Sequence, residues 1–182
     1  MLLLAKTRTW ITLLAACWIA SSFVAAARGQ LSEAVEGDPE RPGITGLALP
    51  RFVSLRSGEV NLRTGPGIRY PIDWVYKRRG LPVEVINEFE SWRRIRDWQG
   101  AVGWVHRSML QGSRTVLVTA GTHRALRQDP DERSRSLAYV EPGVIGTLEA
   151  CEDVWCEVDI AGFRGWLRRD HLYGIYPHES VP

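Results

Sequence analysis

Val60-Asn61-Leu62-Arg63-Thr64-Gly65-Pro66-Gly67 opens the segment whose reading decides the fold, and Gly103-Trp104-Val105 closes it. In the opening, Val60 and Leu62 alternate with Asn61 and Arg63, the period of a strand with one apolar face, and Gly-Pro-Gly ends it in a tight turn. Downstream, Leu81-Pro82-Val83-Glu84-Val85-Ile86 and Trp92-Arg93-Arg94-Ile95-Arg96 flank the polar stretch 87–91, so two further strands face each other across a hairpin. Glycines from Gly100 onward set a bend before the closing strand. The segment from Val60 to Leu110 therefore reads as one complete small β-barrel.

Five anchors occur here in a fixed order: Asn61 to Gly67, Tyr70-Pro71, Arg79-Gly80 before Val83-Glu84-Val85, Trp92, and Gly103-Trp104-Val105. In this the segment resembles the bacterial SH3-like domain, a five-stranded barrel that exported bacterial proteins use as a non-catalytic module. The resemblance implies binding to cell-wall or cell-envelope material and names no ligand.

The segment is then repeated. Ala125-Leu126-Arg127-Gln128-Asp129-Pro130-Asp131 aligns with Asn61 to Gly67 at an offset of 64 residues, Gly143 with Gly80 and Trp155 with Trp92 at 63, and Gly165-Trp166 with Gly103-Trp104 at 62. Each step is one residue lost in a loop, where deletions are tolerated while strand register is not. On this alignment Trp74 and Tyr76 fall opposite Leu137 and Tyr139, which reads as a shared core face. The second copy lacks the Gly-Pro-Gly turn, so its first loop departs from the family pattern.

Cys151 and Cys156 bracket the hairpin tip that corresponds to 87–92, and their first-copy counterparts are Glu88 and Arg93. Residues opposed on antiparallel strands bring Cα atoms to about 4.5–5.5 Å, a separation a disulfide spans. A structural disulfide is the expectation; metal ligation lacks a nearby histidine, and a redox pair has a different spacing.

Residues 1–27 hold Lys6 and Arg8, an apolar run from Trp10 to Val24 and then Ala25-Ala26-Ala27, the three zones of a secretory signal. The expected outcome is cleavage near Ala27 and a periplasmic or secreted chain. Retention as an anchor, and acylation at Cys17 after Leu14-Ala15-Ala16, stay open as alternatives. The chain has 23 basic and 21 acidic residues, and loss of Lys6 and Arg8 brings the remainder to neutrality, which removes net charge as an argument for nucleic acid. Charge is instead segregated: 51–119 carries 12 basic and 6 acidic side chains, 120–182 carries 7 and 11. Residues 28–50 contain acids and prolines but few large apolar groups and read as a flexible linker.

The expected architecture is all-β: two tandem small SH3-like five-stranded barrels after an N-terminal signal helix and a flexible linker. The signal occupies 1–27, the linker 28–50, the first barrel 51–119, the second 120–178 and a tail 179–182. His106, His123, His171 and His178 are scattered, and no phosphate loop, HExxH or GxSxG element occurs, so no catalytic residue, metal site or cofactor is expected. Trp92, Trp104, Trp155 and Trp166 are assigned to barrel core and Trp74 to the core face. Trp98, on the turn 96–100, and Tyr70, with Arg78 and Arg79 as charged neighbours, are the candidate ligand contacts. The expected partner is cell-wall polymer or an envelope protein, with no nucleic acid, and a membrane only if the signal is retained or Cys17 acylated. An interaction adaptor that binds a peptide or partner subunit along a strand edge is the competing expectation.

Overall fold

The computed structural model describes residues 41–181, so the signal segment, its cleavage near Ala27 and Cys17 lie outside the described residues. A short hairpin, β1 (Arg41–Pro42) and β2 (Ala48–Leu49), leads into two sheets of the same plan. The first comprises β3 (Arg51–Leu55), β4 (Val60–Arg63), β5 (Ile72–Tyr76), β6 (Pro82–Phe89), β7 (Trp92–Arg96), β8 (Val102–His106) and β9 (Leu110–Gln111). The second comprises β10 (Thr115–Val118), β11 (Arg124–Arg127), β12 (Ser136–Val140), β13 (Ile145–Glu152), β14 (Trp155–Ile160), β15 (Phe163–Arg168) and β16 (Leu172–Tyr173). Strand order is β5-β4-β8-β7-β6-β3-β9 in one and β12-β11-β15-β14-β13-β10-β16 in the other. Two barrels of one topology follow each other, each adding a leading strand and a two-residue closing strand to the five strands expected.

The repeated glycine-tryptophan pair has a steric cause. A Cβ on Gly103 would lie 2.6 Å from Leu62 Cγ and 2.9 Å from the Arg63 carbonyl oxygen, and one on Gly165 would lie 2.6 Å from the Arg127 oxygen and 2.9 Å from Leu126 Cγ. Only glycine lets β8 and β15 cross so close to β4 and β11. The Leu-Arg pair and the glycine are therefore two halves of one contact.

Aliphatic side chains fill both interiors. Leu55, Leu62, Val83, Val85, Ile95 and Val105 are fully buried in the first barrel, as are Val116, Leu126, Cys156 and Val158 in the second. Trp92, Trp104, Trp155 and Trp166, expected in the core, are instead half-buried, because strand alternation places Ile95, Val105, Val158 and Leu167 inward and these rings outward.

Register corrects the alignment at one more place. Leu62 opposes Trp74 and Val60 opposes Tyr76, while Leu126 opposes Ala138 and Arg124 opposes Val140. Trp74 thus corresponds to Ala138, not Leu137, and Tyr76 to Val140, not Tyr139. Trp74 shares its strand face with Tyr76, but burial along β5 reaches only its last residues, and Trp74, read as core, is 58% exposed.

Three segment boundaries also move. Residues 41–50 are not linker: Thr45 donates to Glu88 through its amide (3.0 Å) and hydroxyl (2.9 Å), fixing the hairpin to the first barrel. Thr115 to Val118 is the first strand of the second barrel, where it pairs with β13 and β16, although it falls inside 51–119. Residues 179–181 are not a loose tail, because Glu179 pairs with Arg114 and Val181 bridges to Cys151.

The barrels pack on each other. Phe52 stacks against Tyr173 and Tyr176 at 5.2 and 4.7 Å between ring centroids, and the Thr115 hydroxyl donates to the Gly80 carbonyl at 2.7 Å. Leu117, on the leading strand of the second barrel, is buried in the core of the first.

Cys151 and Cys156 oppose each other on β13 and β14 and form a disulfide with Cα atoms 4.1 Å apart. The same pair of positions in the first barrel holds Glu88 and Arg93, an ion pair at 3.2 Å. The two copies thus tie one hairpin by different bonds. Because the loop closed is short, replacing both cysteines by serine is expected to lower stability by about 2 kcal/mol, read as a lowered urea midpoint with unchanged slope.

Candidate functional site

The loop between β7 and β8 is organised by Asp97, which is 4% exposed. Its Oδ1 accepts from the amides of Gln99 and Ala101, both at 2.9 Å, and its Oδ2 accepts from the Tyr76 hydroxyl at 2.9 Å. Gly100 takes a positive φ of 86° to close the turn. Burial first, and then the Asp97 carboxylate, push the Tyr76 hydroxyl well above the usual tyrosine range, so it stays protonated as the donor.

This bond fixes the end of β5 to the loop that carries Trp98. Trp98 follows Asp97 and is 40% exposed; Trp74 precedes Tyr76 by two residues on the same strand face. The corresponding residues in the second barrel, Ala138, Val140, Ile160 and Ala161, line one hollow of about 310 Å³ together with Val144 and Phe163. Where the second copy has Ala138 and Ala161 beside an apolar hollow, the first copy has Trp74 and Trp98, each close in sequence to one partner of the Tyr76–Asp97 hydrogen bond. The corresponding end of the first barrel, its mouth, therefore carries two exposed tryptophans, and β5, which bears Trp74 and the exposed Ile72, is an outermost strand of its sheet.

The residues singled out from sequence do not all gather there. Trp98 belongs to the mouth. Arg78 and Arg79 follow β5 at the same end; Arg79 is exposed, whereas Arg78 donates to the Gly143 carbonyl at 2.7 Å and is committed to the contact between barrels. Tyr70 lies beyond the opposite end of β5. Its ring covers Gly65 and Gly67 of the Gly-Pro-Gly turn, its carbonyl accepts from Arg63 at 2.7 Å, and the Arg69 guanidinium sits 5.3 Å from the ring centroid. Tyr70 thus supports its own turn. Sequence reasoning misses Trp74, because it sets the repeat one residue out of register there. Among the described residues no group of three histidine, cysteine or acidic side chains is placed to hold a metal, and Cys151 and Cys156 are joined in the disulfide.

A family model described as "Bacterial SH3 domain" matches residues 56–112 and 120–174. No curated protein matches the chain. Among solved structures, NlpC2 from Trichomonas vaginalis is 14% identical with a TM-score of 0.31, over 68% of this chain and 48% of that one. NlpC1 from the same organism is 13% identical with a TM-score of 0.32, over 68% and 45%. The chain spans about half the length of these structures.

Proposed function

Since the chain belongs to the bacterial SH3 domain family, with two matched copies, we propose that it is a non-catalytic, exported binding module that recognises cell-wall or cell-envelope material through the mouth of its first barrel. The observation that carries this reading is the pair of exposed tryptophans, Trp74 and Trp98, anchored by the Tyr76–Asp97 hydrogen bond. Aromatic rings exposed at a barrel mouth offer large contact area at little entropic cost. The excess of basic side chains over 51–119 favours an anionic polymer. The second barrel acts as support, and export leaves the protein periplasmic or secreted with its signal removed near Ala27.

Sedimentation with purified cell wall tests this reading. The parent protein is expected to bind at low salt and to weaken as salt rises. The double substitution Trp74→Ala, Trp98→Ala is expected to reduce binding at least tenfold, as loss of central aromatic anchors does. Absence of binding by the parent at low salt overturns the proposal. A second reading rests on the position of β5 at the sheet edge: a peptide or partner subunit adds to it as a further strand. A photoreactive residue at position 98 separates the two, because only this reading gives a protein adduct.

A further inference from the structure

The second barrel contains a hollow lined mainly by basic side chains. It measures about 150 Å³ and is bounded by Arg124, Arg127, Arg168, His123, His171 and Trp155, with Glu132 as the one carboxylate in its lining. Register equates Arg124 with Val60, a fully buried core residue, because Arg124 opposes Val140 as Val60 opposes Tyr76. Arg168 likewise stands where the first copy has His106, which packs its ring against Trp92 at 5.4 Å. Core and aromatic packing have been exchanged for cations, in the half of the chain whose acidic residues outnumber its basic ones.

The cations are not all answered. Arg168 pairs with Asp170 at 3.1 Å and Glu132 at 3.2 Å, and Arg127 donates to the Ser134 carbonyl at 2.8 Å and faces Glu132 at 3.9 Å. The Arg124 side chain has no hydrogen bond or ion pair among the described residues, and its Nε is buried without an acceptor. Three guanidiniums thus meet two carboxylates, and the unmatched one is Arg124. Gly121, with φ of +135°, keeps the space open: a Cβ there would lie 2.7 Å from Arg124 Nη2. Arg124 lines the hollow without a counter-charge, and an entering oxyanion would pair with its guanidinium.

We propose that this hollow is a binding site for a small oxyanion, a carboxylate or phosphate group, with Arg124 as its principal ligand and Arg168 and His171 at its rim. The site is independent of the tryptophan mouth, so either can fail alone. His171 reports occupancy. Burial first, then the Arg124 and Arg168 guanidiniums, hold it below the usual histidine range, against the opposing pull of Asp170 and Glu132. His123 faces Glu141 at 3.6 Å. A bound anion favours the charged imidazole and moves the His171 midpoint up by about 1 pH unit.

The test is an NMR titration of the intact protein with inorganic phosphate and, separately, with acetate, following the His171 ring and the Arg124 Nε–H. Saturable shifts of both, with the rise in the His171 midpoint, are the expected result; a response to phosphate alone assigns a phosphate source, and a response to acetate a carboxylate source. Arg124→Leu, which returns this position to the aliphatic character it has in the first barrel, is expected to weaken the response at least tenfold. The absence of saturable shifts with either anion overturns the proposal, as does an undiminished response in Arg124→Leu; the parent titration decides even if that variant does not fold.

Discussion

Glu88→Gln is expected to destabilise the protein by about 3–5 kcal/mol, the cost of removing one partner from a buried ion-pair network. The Glu88 side chain is fully buried, and its carboxylate accepts from the Thr45 amide and hydroxyl and from Arg51 at 2.6 Å, and forms an ion pair with Arg93 at 3.2 Å. Glutamine has nearly the same shape but turns an amide N–H₂ toward donors and leaves the Arg93 guanidinium, 6% exposed, without a counter-charge. Thr45 holds the β1–β2 hairpin to the barrel through this carboxylate, on which Gly43 also packs closely, so the substitution should also release the hairpin. Urea unfolding measures the first effect and hydrogen exchange at Thr45 the second. A loss under about 1 kcal/mol with Thr45 still protected would contradict the role assigned to Glu88.

The same carboxylate sets an acid limit. Burial alone would raise the Glu88 pKa, but hydrogen bonds from Arg51 and Thr45 and the Arg51 charge together hold it below the ordinary value of 4.5. Because the folded pKa is depressed, the stabilisation is fully present above about pH 4.5 and is lost as pH falls through the lower folded value. The acid-dependent loss of stability should therefore shrink in Glu88→Gln.

How much of this is legible in the sequence follows from how local each cause is. The glycine-tryptophan and leucine-arginine pairs can be read because each serves one backbone crossing that any barrel of this plan must make. The disulfide is legible because its spacing matches a hairpin already placed by the repeat. Trp74 is not, since the offset of 64 residues persists through Tyr76 and Val140 and drops to 63 only between these and Gly80 and Gly143, and an alignment of apolar positions does not show on which side of β5 the residue is lost. The hairpin at 41–49 escapes for a different reason. Its composition is that of a linker, and what orders it is one carboxylate 43 residues from Thr45 along the chain. Likewise Phe52, Tyr173 and Tyr176 give no signal singly, and only the packing of two barrels makes them neighbours. Arg124 is hidden by the opposite effect: a charged side chain at a core position breaks the pattern on which the repeat is recognised.

Phe52→Ala is the second large effect, because Phe52 links the two barrels into one cooperative unit. Its ring is 9% exposed and meets Tyr173 edge-on at 84° and Tyr176 at a tilt of 42°. Both tyrosines are in turn tied to the first barrel, Tyr176 donating to Glu84 and Tyr173 to the Arg96 carbonyl, each at 3.0 Å. Burial first, then the Glu84 carboxylate, push both hydroxyls above the usual tyrosine range, so they remain donors. Truncating a buried phenylalanine costs about 3–5 kcal/mol, and here the loss falls on the apolar part of the junction, leaving Leu117 and polar contacts such as Tyr176–Glu84, Tyr173–Arg96, Thr115–Gly80 and Arg78–Gly143 to couple the halves. The parent is expected to melt in one calorimetric transition, and Phe52→Ala in two, with a reduced urea slope as cooperativity is lost. Ile68→Ala, at a residue 83% exposed on the first barrel, should change stability by no more than about 0.5 kcal/mol and keep the single transition. A single transition in Phe52→Ala, shifted as little as in Ile68→Ala, would mean that the barrels are coupled elsewhere.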